Sequence, residues 1–292
     1  MGTVIKAVAI AKPFLTTRIL ALTFRAAKRC LRSAKLCIED VGILINSGVY
    51  TENHLREPAL AVLIENRLQN IFCIQFFGKD KIKNIFSFDL YNGGGGLINA
   101  IQVIDGFIQS GEIENGLIVA GDVKPLTSKN KNYNYASCAG AIILSKDAKS
   151  KGFTKFRTET FTKYLDNYQS STSWEAGKFN FGIHSKTDFL KNCVSCAKKS
   201  IRNFFDEENL TWGEIDLVLT SNSPKEFGNK FSQACGLKNK LVQLNINREI
   251  FSAGIIFSLE KVFQNQQFQN ARNILFVMVG AGITVSLSLY QN

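Results

Sequence analysis

The sequence predicts an α/β protein made of two similar halves, and three observations carry that reading. Short apolar runs, several rich in β-branched residues, alternate with longer segments of helical periodicity, the pattern of central strands covered by helices on both faces. A helical pattern, a short acidic turn and a buried strand occur twice. Leu20–Leu36 leads to Ile38-Glu39-Asp40-Val41-Gly42-Ile43-Leu44-Ile45, and Phe189–Phe205 leads to Trp212-Gly213-Glu214-Ile215-Asp216-Leu217-Val218-Leu219. A second echo closes each half, Cys138-Ala139-Gly140-Ala141-Ile142-Ile143-Leu144 against Gly280-Ala281-Gly282-Ile283-Thr284-Val285. Repetition at about half the chain length points to a duplicated unit rather than a solenoid. The division falls into residues 1–150 and 151–292, the second half opening with a linker or flap to about residue 187.

The strands expected in order are Val4–Ile10, Gly42–Ile45, Leu117–Ala120, Leu217–Thr220 and Ile274–Val279. Between them, Pro58–Leu68 reads as a helix with proline near its start, where a missing N–H costs little. Gly96–Gln109 is apolar on most faces, so it belongs in mid-core between sheets. Lys146–Thr187 is polar, aromatic and poorly periodic, and reads as a connection with a loop or flap carrying Tyr164, Tyr168 and Trp174. Residues 124–134, rich in lysine and asparagine, read as another exposed loop.

With 292 residues and 45% hydrophobic content, the chain can bury the core of one large or two intimately packed domains. The formal charge of +11 favours acidic partners, but the basic residues are scattered and carry no nucleic-acid fingerprint. An acidic carrier protein or partner subunit fits that charge as well as any other acid. Seven cysteines, an odd count without framework spacing, indicate a reducing compartment. Cys193 and Cys196 share a helix face but lack a second pair or nearby histidines, so no metal site is expected. Neither a signal segment nor an apolar stretch of the ~20 residues that a bilayer span needs is found, and the expected location is cytoplasmic.

The most specific segment is Phe88-Asp89-Leu90-Tyr91-Asn92-Gly93-Gly94-Gly95-Gly96-Leu97, between a strand-like stretch and the apolar helix. With the order of elements around it, it resembles the thiolase fold, five α-β-α-β-α layers with two buried helices. Within that fold it is similar to the β-ketoacyl-acyl carrier protein synthase III branch. The resemblance runs from Leu20 onward, and the family's opening excursion is shortened. The family's nucleophilic cysteine lies in a Phe-Asp-x-x-x-Ala-Cys-x-Gly-Phe segment, and the resemblance puts Gly94 at that cysteine. A glycine cannot form an acyl intermediate. The family's histidine, in Asp-x-x-x-x-His-Gln-Ala-Asn, falls on Ser221, which cannot hold a proton as an imidazole does. Its asparagine falls on Glu249 or Ile250, one register apart, and neither donates to an enolate. Gly280 and Gly282 resemble the family's pocket loop. Tight packing is the simplest role for them and for Gly93, Gly95 and Gly96.

Two residues are candidates to rescue activity. His54 lies in a polar loop before a helix, where an interface or capping role outweighs catalysis. Cys138 precedes a strand and reads as a small buried thiol. His184 sits in the flap, and Cys73 and Cys235 have no activating base nearby in sequence. The resemblance implies no cofactor and a homo- or heterodimer. The favoured function is a noncatalytic ketosynthase-like subunit that supports an active ketosynthase and meets an acyl carrier protein. The alternative is an acyltransferase, condensing enzyme or thioester hydrolase using a non-standard site on the same fold. A self-paired scaffold or ligand-binding protein is a third class.

Overall fold

The computed structural model describes residues 2–14, 17–76, 84–126, 133–149, 151–175, 177–237, 239–244 and 246–292. Its first sheet holds, in spatial order, β1 (Gly2–Ala11), β5 (Cys138–Asp147), β4 (Asn115–Asp122), β2 (Ile43–Asn46) and β3 (Phe86–Asp89). The β1–β5 and β5–β4 pairs are antiparallel, while β4, β2 and β3 run parallel. The second sheet repeats this order with β6 (Gly152–Tyr164), β11 (Gly282–Gln291), β10 (Asn273–Gly280) and β9 (Leu217–Thr220). Its strand senses match as well. Where β3 has its counterpart, only a single parallel bridge joins Val218 to Leu241.

Helices separate the sheets into layers. On the outer face of the first sheet, α1 (Ile19–Ala34) and α2 (Leu60–Phe76) pack through Leu22, Ala26, Leu31, Ile64 and Leu68 onto Leu44, Leu117 and Ile143. Between the sheets, α3 (Gly96–Gln109) and α6 (Gly254–Gln264) share one apolar cluster with inward residues of both. On the far side, α4 (Phe189–Glu208) and α5 (Phe227–Cys235) cover the second sheet with Phe204, Phe205, Phe227 and Phe231. The resulting order is α-β-α-β-α. Within α3, Leu97, Ile98, Ile101, Ile104 and Ile108 are all essentially inaccessible to solvent. Each such side chain contributes about 1.5–3 kcal/mol of burial, which holds the helix in mid-core despite the glycines before it.

The repeated acidic turn has one cause in both halves. After α1, the N–H of Cys37 donates to Asp40 Oδ2 at 2.8 Å. After α4, the N–H of Thr211 donates to Glu214 Oε2 at 2.8 Å. In each, the carboxylate captures the otherwise orphaned N–H that opens a single 3-10 turn before the buried strand.

The stretch 146–187 corrects the sequence reading. Most of it is strand: β6 pairs with β11, and β7 (Tyr168–Glu175) forms a hairpin with β8 (Lys178–Ser185). The strands were hard to see because both of their faces are largely exposed, with residues 169–174 of β7 all open to water. Along β8, only Phe181 and Ile183 are buried, so the two-residue period spans a single repeat. Within 124–134, Lys124 and Leu126 are exposed and residues 127–132 lie outside the described set, but Tyr133 is half-buried, and Tyr135 just beyond the segment is buried.

Candidate functional site

At the end of β3, the Asp89 carboxylate accepts the N–H groups of Leu60 and Ala61, each at 2.9 Å, tying the strand to the start of α2. The chain then turns through Gly93–Gly95 as one 3-10 turn, with Gly93 left-handed at φ +47°, and enters α3 at Gly96. Gly94 is buried against the β10–β11 turn. A Cβ on it would lie under 3.0 Å from the Val279 carbonyl oxygen and 3.4 Å from the Val279 carbonyl carbon. A Cβ on Gly280 would in turn lie 3.2 Å from Gly94 N and 3.3 Å from Gly95 N. Two glycine-bearing backbones therefore meet face to face, and the turn is closed rather than hollow.

Ser221 flanks the same contact. Its N–H donates to Val277 O at 3.0 Å, and its Oγ accepts the N–H of Val279 at 2.9 Å. Val279 thus turns its carbonyl to Gly94 and its N–H to Ser221. One residue on, Asn222 Oδ1 accepts the Ile250 N–H at 2.6 Å. Ile250 is 2% exposed and packs in the central cluster. The Glu249 side chain goes elsewhere, with Oε2 accepting from Ser223 Oγ at 2.9 Å. Of the two registers, Glu249 faces a cavity of about 260 Å3, whose other walls include Tyr135, Tyr168, Phe189, Ser223 and Pro224.

Burial pushes the Glu249 pKa up, while Ser223, the Lys225 backbone and the Lys225 charge pull it partly back. A raised folded-state value means that the stability linked to this group is present below the ordinary carboxyl value of 4.5 and is lost as pH rises through the folded value. Glu249→Gln removes that loss. Its stability relative to wild type should grow in urea unfolding as pH rises above about 4.5, and a constant gap would refute the linkage.

Beyond Glu249 lies a tyrosine cluster that the sequence did not single out as a unit. Tyr50 Oη and Tyr168 Oη are 2.7 Å apart, and Tyr135 Oη and Tyr168 Oη 2.9 Å apart. The rings of Tyr50 and Tyr135 stack at 5.7 Å, with Phe251 against both. Beneath them, Asp122 is 1% exposed. Its Oδ1 accepts the N–H of Val49 at 3.2 Å and of Tyr50 at 3.0 Å. Its Oδ2 accepts the N–H of Ser252 at 2.8 Å and Ser252 Oγ at 2.5 Å. Burial pushes the Asp122 pKa up and these bonds draw it back. The only sequence signal for this anchor was an acid ending the otherwise apolar strand β4.

The two rescue candidates have surroundings that suit neither to catalysis. His54 is left-handed at φ 51°, its ring lies 4.7 Å from that of Phe179, and its Nε2 is buried without a partner. Burial, then the charge of Arg56, lowers its pKa. Cys138 opens β5 opposite Asp122 and is buried; burial and that carboxylate push its thiol pKa up. A nucleophilic thiol needs the reverse shift. The described thiols of Cys30, Cys37, Cys193, Cys196 and Cys235 are raised too, Cys30 to about 12 and Cys196 to about 11, chiefly by burial. The Cys73 side chain lies outside the described set, and His184 is exposed on β8.

Residues 88–173 match the family model for 3-oxoacyl-[acyl-carrier-protein (ACP)] synthase III. A β-ketoacyl-[acyl-carrier-protein] synthase III of Wolbachia pipientis is 22% identical over 277 residues, covering 90% of this chain and 80% of its own length. That of Aquifex aeolicus is 21% identical over 268 residues, covering 89% and 80%. Among solved structures, the Aquifex aeolicus 3-oxoacyl-[acyl-carrier-protein] synthase III superposes with a TM-score of 0.82 at 19% identity over 100% of both chains. OleA of Xanthomonas campestris gives 0.81 at 15% identity, covering 100% of this chain and 98% of its own. The paired sheets and the two mid-core helices give this chain the fold of these solved structures, and its glycine segment lies inside the stretch that matches the 3-oxoacyl-[acyl-carrier-protein] synthase III family model.

Proposed function

We propose that the chain is a noncatalytic ketosynthase-like subunit that pairs with or supports an active ketosynthase in fatty-acid, polyketide or related secondary-metabolite biosynthesis. One observation carries this reading. Gly94, aligned with the family's nucleophilic cysteine, is packed against the Val279 carbonyl with no room for a side chain. The neighbouring positions support it, because Ser221 Oγ is occupied by a backbone N–H and Ile250 faces the core. Acyl transfer through this site has neither thiolate nor base. Partnership is supported by β3, a four-residue edge strand leading straight to the glycine turn, where Phe86 is 58% exposed. A homologous subunit adding a strand there would cover it. An acyl carrier protein is the acidic partner suited to the +11 charge.

The second reading, a condensing or acyl-transfer enzyme with a non-standard site, draws on the names of the relatives. It also draws on the cavity where Glu249, Ser223 and two tyrosines converge. Incubation with acyl-CoA and acylated carrier protein, alone and with a copurifying homologous subunit, separates the two by intact-protein mass spectrometry. The expected result is no adduct on this chain, an adduct on the partner, and partner turnover that falls when this chain is withheld. An acyl adduct on the isolated chain would overturn the first reading.

A further inference from the structure

A second site lies away from the glycine turn. The end of β1, one face of α1 and the side of α6 enclose a groove of about 670 Å3. Five cations line it: Lys12 from the strand end, and Arg25, Lys28, Arg29 and Arg32 from α1. The four helical residues are spaced by three and four, so they form one stripe. A single carboxylate, Glu260 on α6, faces them, leaving five positive charges against one negative. Among the described residues, none of the five cations belongs to an ion pair.

The arginines are held in place, but not by acids. Arg25 NH2 donates to the carbonyl of Lys12 at 2.9 Å, and Arg29 NH1 to the carbonyl of Ile10 at 2.9 Å. Backbone carbonyls fix the guanidinium groups of Arg25 and Arg29 without neutralising them, and the Glu260 carboxylate, which feels Arg29 and Lys12, offsets one of the five charges. Arg25 Nε, moreover, is buried and has no hydrogen-bond partner. A buried donor left unpaired is costly, whereas an ordinary solvated basic face would leave it in water. The five cations that line the groove are what an acceptor there would meet, and a tetrahedral oxyanion matches the geometry of a guanidinium fork.

We propose that this groove binds a phosphoryl group, as a pyrophosphate or phosphate ester, oriented by Arg25 and Arg29 and neutralised by Lys12, Lys28 and Arg32. The site is independent of whether the glycine turn is silent. The phosphoryl group has two possible sources, a soluble phosphorylated compound or an anionic lipid headgroup. The second is raised by Phe14, which is 83% exposed at the rim and is the kind of apolar anchor a lipid surface takes.

The test is calorimetric titration of the full chain with inorganic pyrophosphate at physiological salt, beside sedimentation with vesicles containing phosphatidic acid. One saturable site per chain is expected. Lys12→Gln with Lys28→Gln, which breaks no hydrogen bond seen in the fold, should weaken binding at least about 10-fold. Arg25→Lys keeps the charge but removes the fork and Nε, and should weaken it by a similar factor. Lys191→Gln with Lys198→Gln, on the exposed side of α4, should leave it unchanged. Binding to pyrophosphate identifies a soluble ligand, and binding to vesicles alone identifies the headgroup; either supports the site. No saturable binding in both arms, equal weakening by the α4 pair, an Arg25→Lys variant as tight as wild type, or tighter binding of a polyglutamate peptide than of pyrophosphate would each overturn it.

Discussion

Gly94→Cys yields a less stable protein that still takes up no acyl group. On the proposed reading, a sulfur at position 94 is the obvious way to give the site a nucleophile, and the packing predicts that it fails. The added Cβ would sit inside normal contact distance of the Val279 carbonyl oxygen. That oxygen belongs to backbone and cannot rotate aside. Val279 is also held from its other side, through its N–H, by Ser221. Overpacking of a tight core typically costs 1–3 kcal/mol, and a backbone obstacle puts this substitution near the upper end, about 3 kcal/mol. Urea unfolding gives the stability, and intact mass after exposure to acyl-CoA gives the chemistry. A variant as stable as wild type would mean that the turn yields easily. An acylated variant would mean that the site lacks only its sulfur.

Asp122→Ala should be the most damaging single change outside the apolar core. The carboxylate is the common acceptor for Val49, Tyr50 and both donors of Ser252. It thereby joins the segment after β2, the end of β4 and the segment entering α6, across the space between the sheets. Truncation strands four donors where little water can reach them. Each unsatisfied buried group costs about 1–3 kcal/mol, partly offset because no carboxylate then needs desolvating, so a net loss of about 4 kcal/mol is expected. Hydrogen exchange should show the Tyr50 and Ser252 amides losing protection together. A loss below about 1 kcal/mol, or protection lost at only one of the two, would show that the segments are not tied through this residue.

The sequence made some of this legible and hid the rest for physical reasons. Helix α3 has the bounds that periodicity predicted, Gly96–Gln109, because a helix apolar on nearly all faces has only one place to go. The duplicated turns were legible because each depends on local acids, Asp40 and Glu214. The strands within 146–187 were not, since they are largely exposed on both faces, residues 169–174 of β7 without a break, and so show no apolar alternation. The tyrosine cluster was invisible for a different reason. Tyr50 and Tyr168 are 118 positions apart, and no local pattern announces their contact. The closure over Gly94 likewise depends on Val279, at the opposite end of the chain, so four glycines in a row could not tell a packed turn from an empty one.

The two sheets differ at one border, and that difference limits how copies can assemble. In the second sheet the rim beyond β9 is partly occupied by the chain's own Leu241. The rims at β1 and β6 lie against each other, where Gly2 and Gly152 leave room for no side chain between neighbouring backbones. Among the described residues, the rim at β3 pairs with no further strand, and neither do the outer edges of the β7–β8 hairpin. A join made through one self-complementary rim is satisfied by two copies and leaves nothing for a third.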